Sequence, residues 1–189
     1  MLECSSIISI MNKLTWERRA QILAALVEGN SIRSTCRMTG TAKGTVLSLL
    51  VDAGRAAQKY HDETVQNLSC QRLQCDEIWS FCHAKERNVP SEHQGEYGYG
   101  DMGTWTCIDA DTKLAASWLA GDRDPETAAV FMQDVADRLN HRVQLTTDGH
   151  KAYLTTVEDA FGRGIDYAML VKIYGPSDPE SQRRYSPAN

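Results

Sequence analysis

The sequence predicts an α/β protein in which a small all-α domain precedes a mixed β-sheet. Up to about residue 55, apolar residues recur at helical spacing in three short segments that turn residues separate. From about residue 71, segments rich in apolar and aromatic residues occur first in succession and then in alternation with amphipathic helices. A chain of 189 residues is long enough for one medium domain or two small ones.

Charge is divided between the same two parts of the chain. Residues 1–60 contain eight Lys/Arg and four Asp/Glu, whereas residues 61–189 contain twelve and twenty-one, so the net charge is −5. A basic part joined to an acidic part predicts different roles, because acidic surfaces repel phosphate unless the acids hold cations. The predicted parts are a leader at 1–14, a helix-turn-helix domain at 15–55, a helical linker at 56–70, a sheet domain at 71–175 and a tail at 176–189.

The composition favours a folded cytoplasmic protein over a membrane or exported one. No apolar run approaches the length of a membrane span, and the leader lacks the basic start and cleavage site of a signal peptide. Met11 is an alternative to Met1 as the start of translation. The six cysteines form no CxxC pair, which disfavours a zinc ribbon and favours reduced thiols. They are Cys4, Cys36, Cys70, Cys75, Cys82 and Cys107.

The basic N-terminal part predicts three helices. Thr15 is positioned to cap the first, and a Gly29 turn ends it. Ser31 caps the second helix, Gly40 breaks it, and Thr41 caps the third.

The second and third of these helices have the spacing of a helix-turn-helix. Cys36 precedes Gly40 by four residues, and Val46 and Leu49 follow it, which suits two helices crossing at a small residue. The alternative is a three-helix bundle that does not bind DNA. The excess of Lys and Arg over Asp and Glu in this part of the chain favours DNA binding. The candidate DNA-binding residues are Arg33 and Arg37 on the second helix and Lys43, Thr45 and Ser48 on the third.

The remainder of the chain predicts three strands, then helix, strand, helix and strand. The strands are expected at 72–82, 104–111, 112–121, 141–148 and 165–175, and the helices at 122–140 and 149–162. Residues 84–103 contain Gly, Pro and charges and are expected to form a loop. Asp124 caps the first helix, with Pro125 at its first position. This order is that of a ribonuclease H-like fold, with the first strand central, the fourth beside it, and helices on both faces.

Two carboxylates stand on strands that this fold makes neighbours. Asp76 interrupts the first strand, and Asp148 ends the fourth, before a turn at Gly149. Converging carboxylates repel unless a cation lies between them, and oxygen ligands favour Mg²⁺ or Mn²⁺ over zinc. We therefore expect a metal site at Asp76 and Asp148, where His150 and Lys151 contact DNA or orient a water. The alternatives are a helix cap at Asp148 and a strand-end charge at Asp76.

Other conspicuous side chains have simpler explanations. Solvated positions are expected for the loop residues His83, His93 and Glu96, and core positions for Trp79, Trp105 and Trp118. The loop residues are not expected to bind metal, and the tryptophans are not expected to stack on bases.

Four motifs in order resemble the catalytic domain of DDE transposases of the insertion-sequence-one family. They are "CDEIWSF", "GDMGTWTCIDADTKL", "TTDGHKAY" and "DYAMLVKIYG", and "NSIRSTCRMTGTAKGTVLSLLVDAG" resembles the helix-turn-helix that precedes that domain. The resemblance implies a bacterial transposase that hydrolyses a phosphodiester at element ends and joins the 3′-hydroxyl to target DNA. Asp76 matches the first catalytic aspartate and Asp148 the second, with Mg²⁺ or Mn²⁺ as cofactor. It further implies double-stranded DNA as partner, a homo-oligomer and a cytoplasmic location.

The chain departs from that family at its third catalytic acid, a glutamate on a helix after the fifth strand. The sequence stops at "RRYSPAN", Glu158 falls too early, and Glu180 lies between prolines without a helical pattern. The sheet domain is therefore expected to be incomplete and the chain alone to be unable to catalyse strand transfer. The alternatives to an active transposase are a truncated, inactive one that binds DNA as a repressor, and an inert remnant.

Overall fold

The computed structural model describes residues 14–96 and 98–171. They form two compact units that divide between Thr64 and Val65. The leader up to residue 13, the end of the predicted fifth strand and the tail with Glu180 lie outside the described residues.

The first unit consists of three helices, α1 (Trp16–Val27), α2 (Ile32–Thr39) and α3 (Lys43–Thr64). The predicted caps of α1 and α2 are confirmed: Thr15 Oγ1 accepts a hydrogen bond from the Arg18 N–H at 3.3 Å, and Ser31 Oγ accepts one from the Ser34 N–H at 3.2 Å. The predicted cap of α3 is wrong, because the helix begins at Lys43 and the Thr41 hydroxyl donates to the Thr39 carbonyl instead. That α2 and α3 form a DNA-binding motif stays a prediction.

The turn between α2 and α3 requires Gly40, whose φ of 63° lies in the left-handed region that side chains disfavour. Val46 on α3 is fully buried, as its predicted anchoring position requires. On α2 the fully buried small residue is Thr35, not Cys36, which was predicted to lie where the two helices cross. α3 continues without a break to Thr64, so the first part of the predicted linker extends this helix.

The second unit contains a five-stranded sheet and two helices among its described residues. The strands are β1 (Arg72–Cys82), β2 (Gly100–Asp109), β3 (Ala115–Gly121), β4 (Val143–Asp148) and β5 (Ile165–Leu170), and the helices are α4 (Pro125–Asp137) and α5 (Ala152–Phe161). The strand order is β3-β2-β1-β4-β5; β2 is antiparallel to β1 and β3, whereas β4 is parallel to β1 and β5. The predicted mixed α/β class is confirmed, and the central β1 beside β4 is consistent with a ribonuclease H-like sheet.

Two details of the second unit differ from the prediction. Residues 100–103, assigned to the loop, belong to β2, because the β1–β2 pairing continues as far as Cys82 opposite Gly100. The remaining loop contains two short 3₁₀ turns, Glu86–Asn88 and Ser91–His93.

The helices α4 and α5 lie on one face of the sheet, not on both faces as predicted. The two helices pack against each other. The chain moves across the sheet in the same direction from β3 to β4 and from β4 to β5. Since such crossovers are right-handed, both helices fall on the same side.

The core of the second unit lies between this face of the sheet and the two helices. Trp105, Phe131, Leu145 and Tyr153 are fully buried there. Alternate residues of β1 and β4 point toward this core, so their neighbours point to the opposite face. Trp118 is 43% exposed, so its predicted core position is wrong, whereas that of Trp105 is confirmed.

Candidate metal centre

The parallel pairing of β1 with β4 determines where the two predicted aspartates lie. The last pair in register is Cys75 opposite Thr147, so Asp76 and Asp148 are the next residue on each strand. Both follow a buried residue and therefore leave the core face of the sheet. After Asp148 the chain turns away at Gly149, which leaves this edge of β1 open.

Three carboxylates meet at this open edge. One oxygen from each of Asp76, Glu77 and Asp148 lies within 4.8 Å of the other two. Glu77 was not among the residues that the sequence predicted. Adjacent residues of a strand normally point to opposite faces. The Asp76 Oδ1 accepts the Glu77 N–H at 2.8 Å, which holds this carboxylate beside the next residue of its own strand.

Asp148 is held by the turn that follows it. Its Oδ1 accepts the His150 N–H at 3.0 Å, and its Oδ2 lies 3.9 Å from Arg123 Nη2. The alternative that Asp148 caps α5 is wrong, since the cap position of that helix is Lys151. The turn therefore orients the carboxylate toward the open edge of the sheet.

Glu77 is the most buried acid of the three, with a side chain 6% exposed. Its Oε2 accepts from Arg123 Nε at 3.2 Å and lies 3.1 Å from Arg123 Nη2. Among the described residues, its Oε1 is buried without a hydrogen-bond partner. Arg123 is the second residue after β3 and immediately precedes the α4 cap Asp124, whose side chain accepts the Thr127 N–H at 2.7 Å. The Asp124 cap is thus confirmed, and it fixes the segment that carries Arg123.

Three aromatic side chains pack together next to Glu77. The Trp105 ring lies edge-on to those of His150 and Tyr153, with both centroid distances 5.6 Å. Burial raises the pKa of the Tyr153 hydroxyl far above its ordinary value, and the nearby Glu77 raises it further. Burial likewise raises the pKa of the Cys75 thiol. Both groups therefore stay neutral at physiological pH, and the negative charge of the site resides on the carboxylates.

The acids line one side of an open cleft of about 380 Å³. The lining residues are Asp76, Glu77, Trp79, Asp101, Met102, Gly103, Arg123 and Asp148. Trp79 is 53% exposed, so its predicted core position is wrong, and Lys85 Nζ lies 5.0 Å from its ring centroid. β1 extends past the helices that would otherwise bury this ring, which puts an aromatic surface next to the carboxylates.

The remaining predicted residues lie at or beyond the rim of this cleft. Lys151 is exposed and lines an adjoining depression, whereas the His150 ring packs edge-on against Trp105 and Tyr153. Glu158 is exposed on α5 and does not belong to the acid cluster.

Of the loop residues predicted to be solvated, His83 and Glu96 are exposed and His93 is half-buried. His83 and His93 both stack on Tyr99, at 4.5 and 4.4 Å between ring centroids. His93 Nδ1 also lies 2.7 Å from Glu96 Oε2. These contacts brace the loop that follows β1.

In the first unit, the candidate DNA-binding side chains are all exposed. This holds for Arg33 and Arg37 on α2 and for Lys43, Thr45 and Ser48 on α3. Their exposure is what contact with a phosphate backbone requires, and their role stays a prediction.

Within residues 14–96 and 98–171, no helix is long and apolar enough to cross a membrane. No protein-family model and no curated protein sequence matches the chain. Among solved structures, the chain is similar to a piggyBac transposase in a synaptic complex with hairpin DNA, at 12% identity and a TM-score of 0.39. The match covers 85% of this chain and 32% of the transposase chain, so the protein spans about a third of that chain's length. A likeness of this extent does not assign a function.

Proposed function

We propose that the second unit is the catalytic domain of a DNA transposase that acts on phosphodiesters with Mg²⁺ or Mn²⁺ at Asp76 and Asp148. The observation that carries the proposal is the register of β1 and β4, which brings these two carboxylates to within 4.8 Å of each other. Hard divalent cations prefer oxygen ligands, and the cluster offers only carboxylates. The resemblance of the surrounding motifs to the insertion-sequence-one family supports the same reaction.

The chain itself orients the two aspartates before any ligand binds. Backbone N–H groups of Glu77 and His150 each hold one oxygen, at 2.8 and 3.0 Å, which leaves the second oxygen of each aspartate to face a cation; for Asp148 that oxygen now lies 3.9 Å from Arg123 Nη2. When bound, divalent ions supply activation of the attacking oxygen and stabilisation of the leaving oxygen of a phosphodiester.

Cationic side chains around the acids are suited to the DNA backbone. Lys85 lies over the Trp79 ring on one side of the cleft, and Lys151 is exposed where α5 begins. A phosphodiester is repelled by bare carboxylates, so positive groups at the rim offset that repulsion. In the first unit, α3 with Lys43 at its start is proposed to read duplex DNA.

A nicking assay tests the proposal. The purified chain is incubated with supercoiled plasmid carrying the element ends and Mn²⁺, with EDTA as the metal-free control. We expect single-strand nicking that EDTA abolishes and that Asp76→Asn and Asp148→Asn each reduce at least 100-fold, whereas joining to target DNA is not expected of this chain alone. Glu158→Gln, which removes an exposed carboxylate of the same unit, should nick as the unchanged chain does. Absence of Mn²⁺-dependent nicking by the unchanged chain, or full nicking by Asp148→Asn, overturns the proposal.

A further inference from the structure

We propose that Glu77 is the third carboxylate of this site and that Arg123 is its internal counter-ion, which a divalent cation replaces. The inference rests on the proposed function, and it identifies an acid that the sequence analysis did not find. It also assigns a role to Arg123, a residue outside every motif considered above.

Burial and incomplete pairing distinguish Glu77 from an ordinary surface acid. A carboxylate that is 6% exposed is unfavourable unless cations or donors neutralise it. Arg123 serves only Oε2, whereas Oε1 is buried without a partner among the described residues. Native structures rarely leave such an oxygen unpaired, and it lies in a group that already approaches Asp76 and Asp148 within 4.8 Å. A cation shared with those aspartates would complete its coordination.

Arg123 lies against two of the three carboxylates. Its Nη2 lies 3.1 Å from Glu77 Oε2 and 3.9 Å from Asp148 Oδ2, so one guanidinium neutralises two members of the cluster. Divalent metals bind carboxylate oxygens at about 2.0–2.6 Å, and a guanidinium held this close to the same carboxylates repels an incoming cation. The two cations therefore compete for the same charge.

The exposure of Arg123 makes the exchange feasible. Its side chain is 56% exposed, so it can leave the carboxylates for water without exposing the core. A guanidinium released at the rim of the cleft is suited to a phosphate, which it binds through paired N–H donors. Arg123 would then pass from the carboxylates to the substrate.

A purely structural ion pair is the competing explanation. In that case Arg123 ties the segment after β3 to β1, and its loss lowers stability while leaving metal affinity unchanged. If Arg123 is a counter-ion, its removal should instead raise the affinity for the metal, because the three carboxylates then lose a competing cation.

The test is the affinity of the full chain for Mn²⁺, measured by electron paramagnetic resonance of free Mn²⁺ at low ionic strength. We expect Glu77→Gln to weaken binding at least tenfold, as Asp148→Asn does, and Arg123→Gln to tighten it about fivefold. Arg142→Gln is the matched control, because Arg142 pairs with Asp166 beside the far ends of β4 and β5, and its loss changes net charge equally. That control should bind Mn²⁺ within twofold of the unchanged chain.

The outcomes separate this inference from the proposed function. Unchanged binding by Glu77→Gln, with loss in Asp76→Asn and Asp148→Asn, overturns the role of Glu77 and leaves the two-aspartate site standing. If all three acid variants bind Mn²⁺ as tightly as the unchanged chain does, the site itself is overturned. Melting curves in EDTA and in Mn²⁺ give a second readout: Arg123→Gln should gain more thermal stability from Mn²⁺ than the unchanged chain. An equal or smaller gain overturns the counter-ion role.

Discussion

Replacing Tyr153 by phenylalanine should stabilise the second unit. The residue is fully buried, and among the described residues its hydroxyl makes no hydrogen bond of ordinary geometry, although the Glu77 carboxylate lies close enough to raise its pKa. An unpaired buried hydroxyl costs about 1–3 kcal/mol relative to an apolar group of the same shape. Phenylalanine keeps the ring contacts with Trp105 and His150 while removing that cost. We expect the free energy of unfolding to rise by about 1 kcal/mol, or the melting temperature by about 4 °C, for a domain of this size.

The assay is urea unfolding followed by far-ultraviolet circular dichroism, with Tyr167→Phe as the matched control. The Tyr167 hydroxyl lies 2.9 Å from Thr147 Oγ1, so the same substitution there removes a hydrogen bond and should cost about 1 kcal/mol. The two variants differ from the unchanged chain by one oxygen atom each, yet their effects should have opposite signs. Destabilisation by Tyr153→Phe would refute the reasoning, and it would mean that Glu77 or a bound water accepts from this hydroxyl.

Two further predictions concern the tryptophans and the first unit. Trp105→Ala should lower the free energy of unfolding by about 3–5 kcal/mol, because the ring is fully buried, whereas Trp79→Ala, at 53% exposure, should cost less than about 1 kcal/mol in the same urea experiment. Arg37→Ala combined with Lys43→Ala should weaken duplex DNA binding and make the plot of log affinity against log salt shallower by about two. Lys59→Ala, on the distal half of α3, is the control, and an unchanged slope in the double variant would contradict the helix-turn-helix assignment.

The sequence determined the types and order of the secondary-structure elements. Helix caps such as Ser31 and Asp124 were identifiable because a side-chain oxygen caps the N–H groups of its own neighbouring residues. The strand order followed from the succession of elements, and this order was enough to predict that Asp76 and Asp148 converge. These are consequences of local spacing and of the handedness of crossovers, both of which one sequence contains.

The tertiary structure alone decided which further groups surround those aspartates. Glu77 adjoins Asp76 in sequence, and adjacent residues of a strand normally point to opposite faces, but at the open end of β1 its carboxylate reaches the same cluster. Arg123 comes from the far side of β2, 46 residues from its partner, so no local pattern connects the two. The exposure of Trp79 depends on how far β1 extends beyond the helices that cover the sheet. Side-chain convergence of this kind depends on where strands end and chains turn, which pairing and packing determine together.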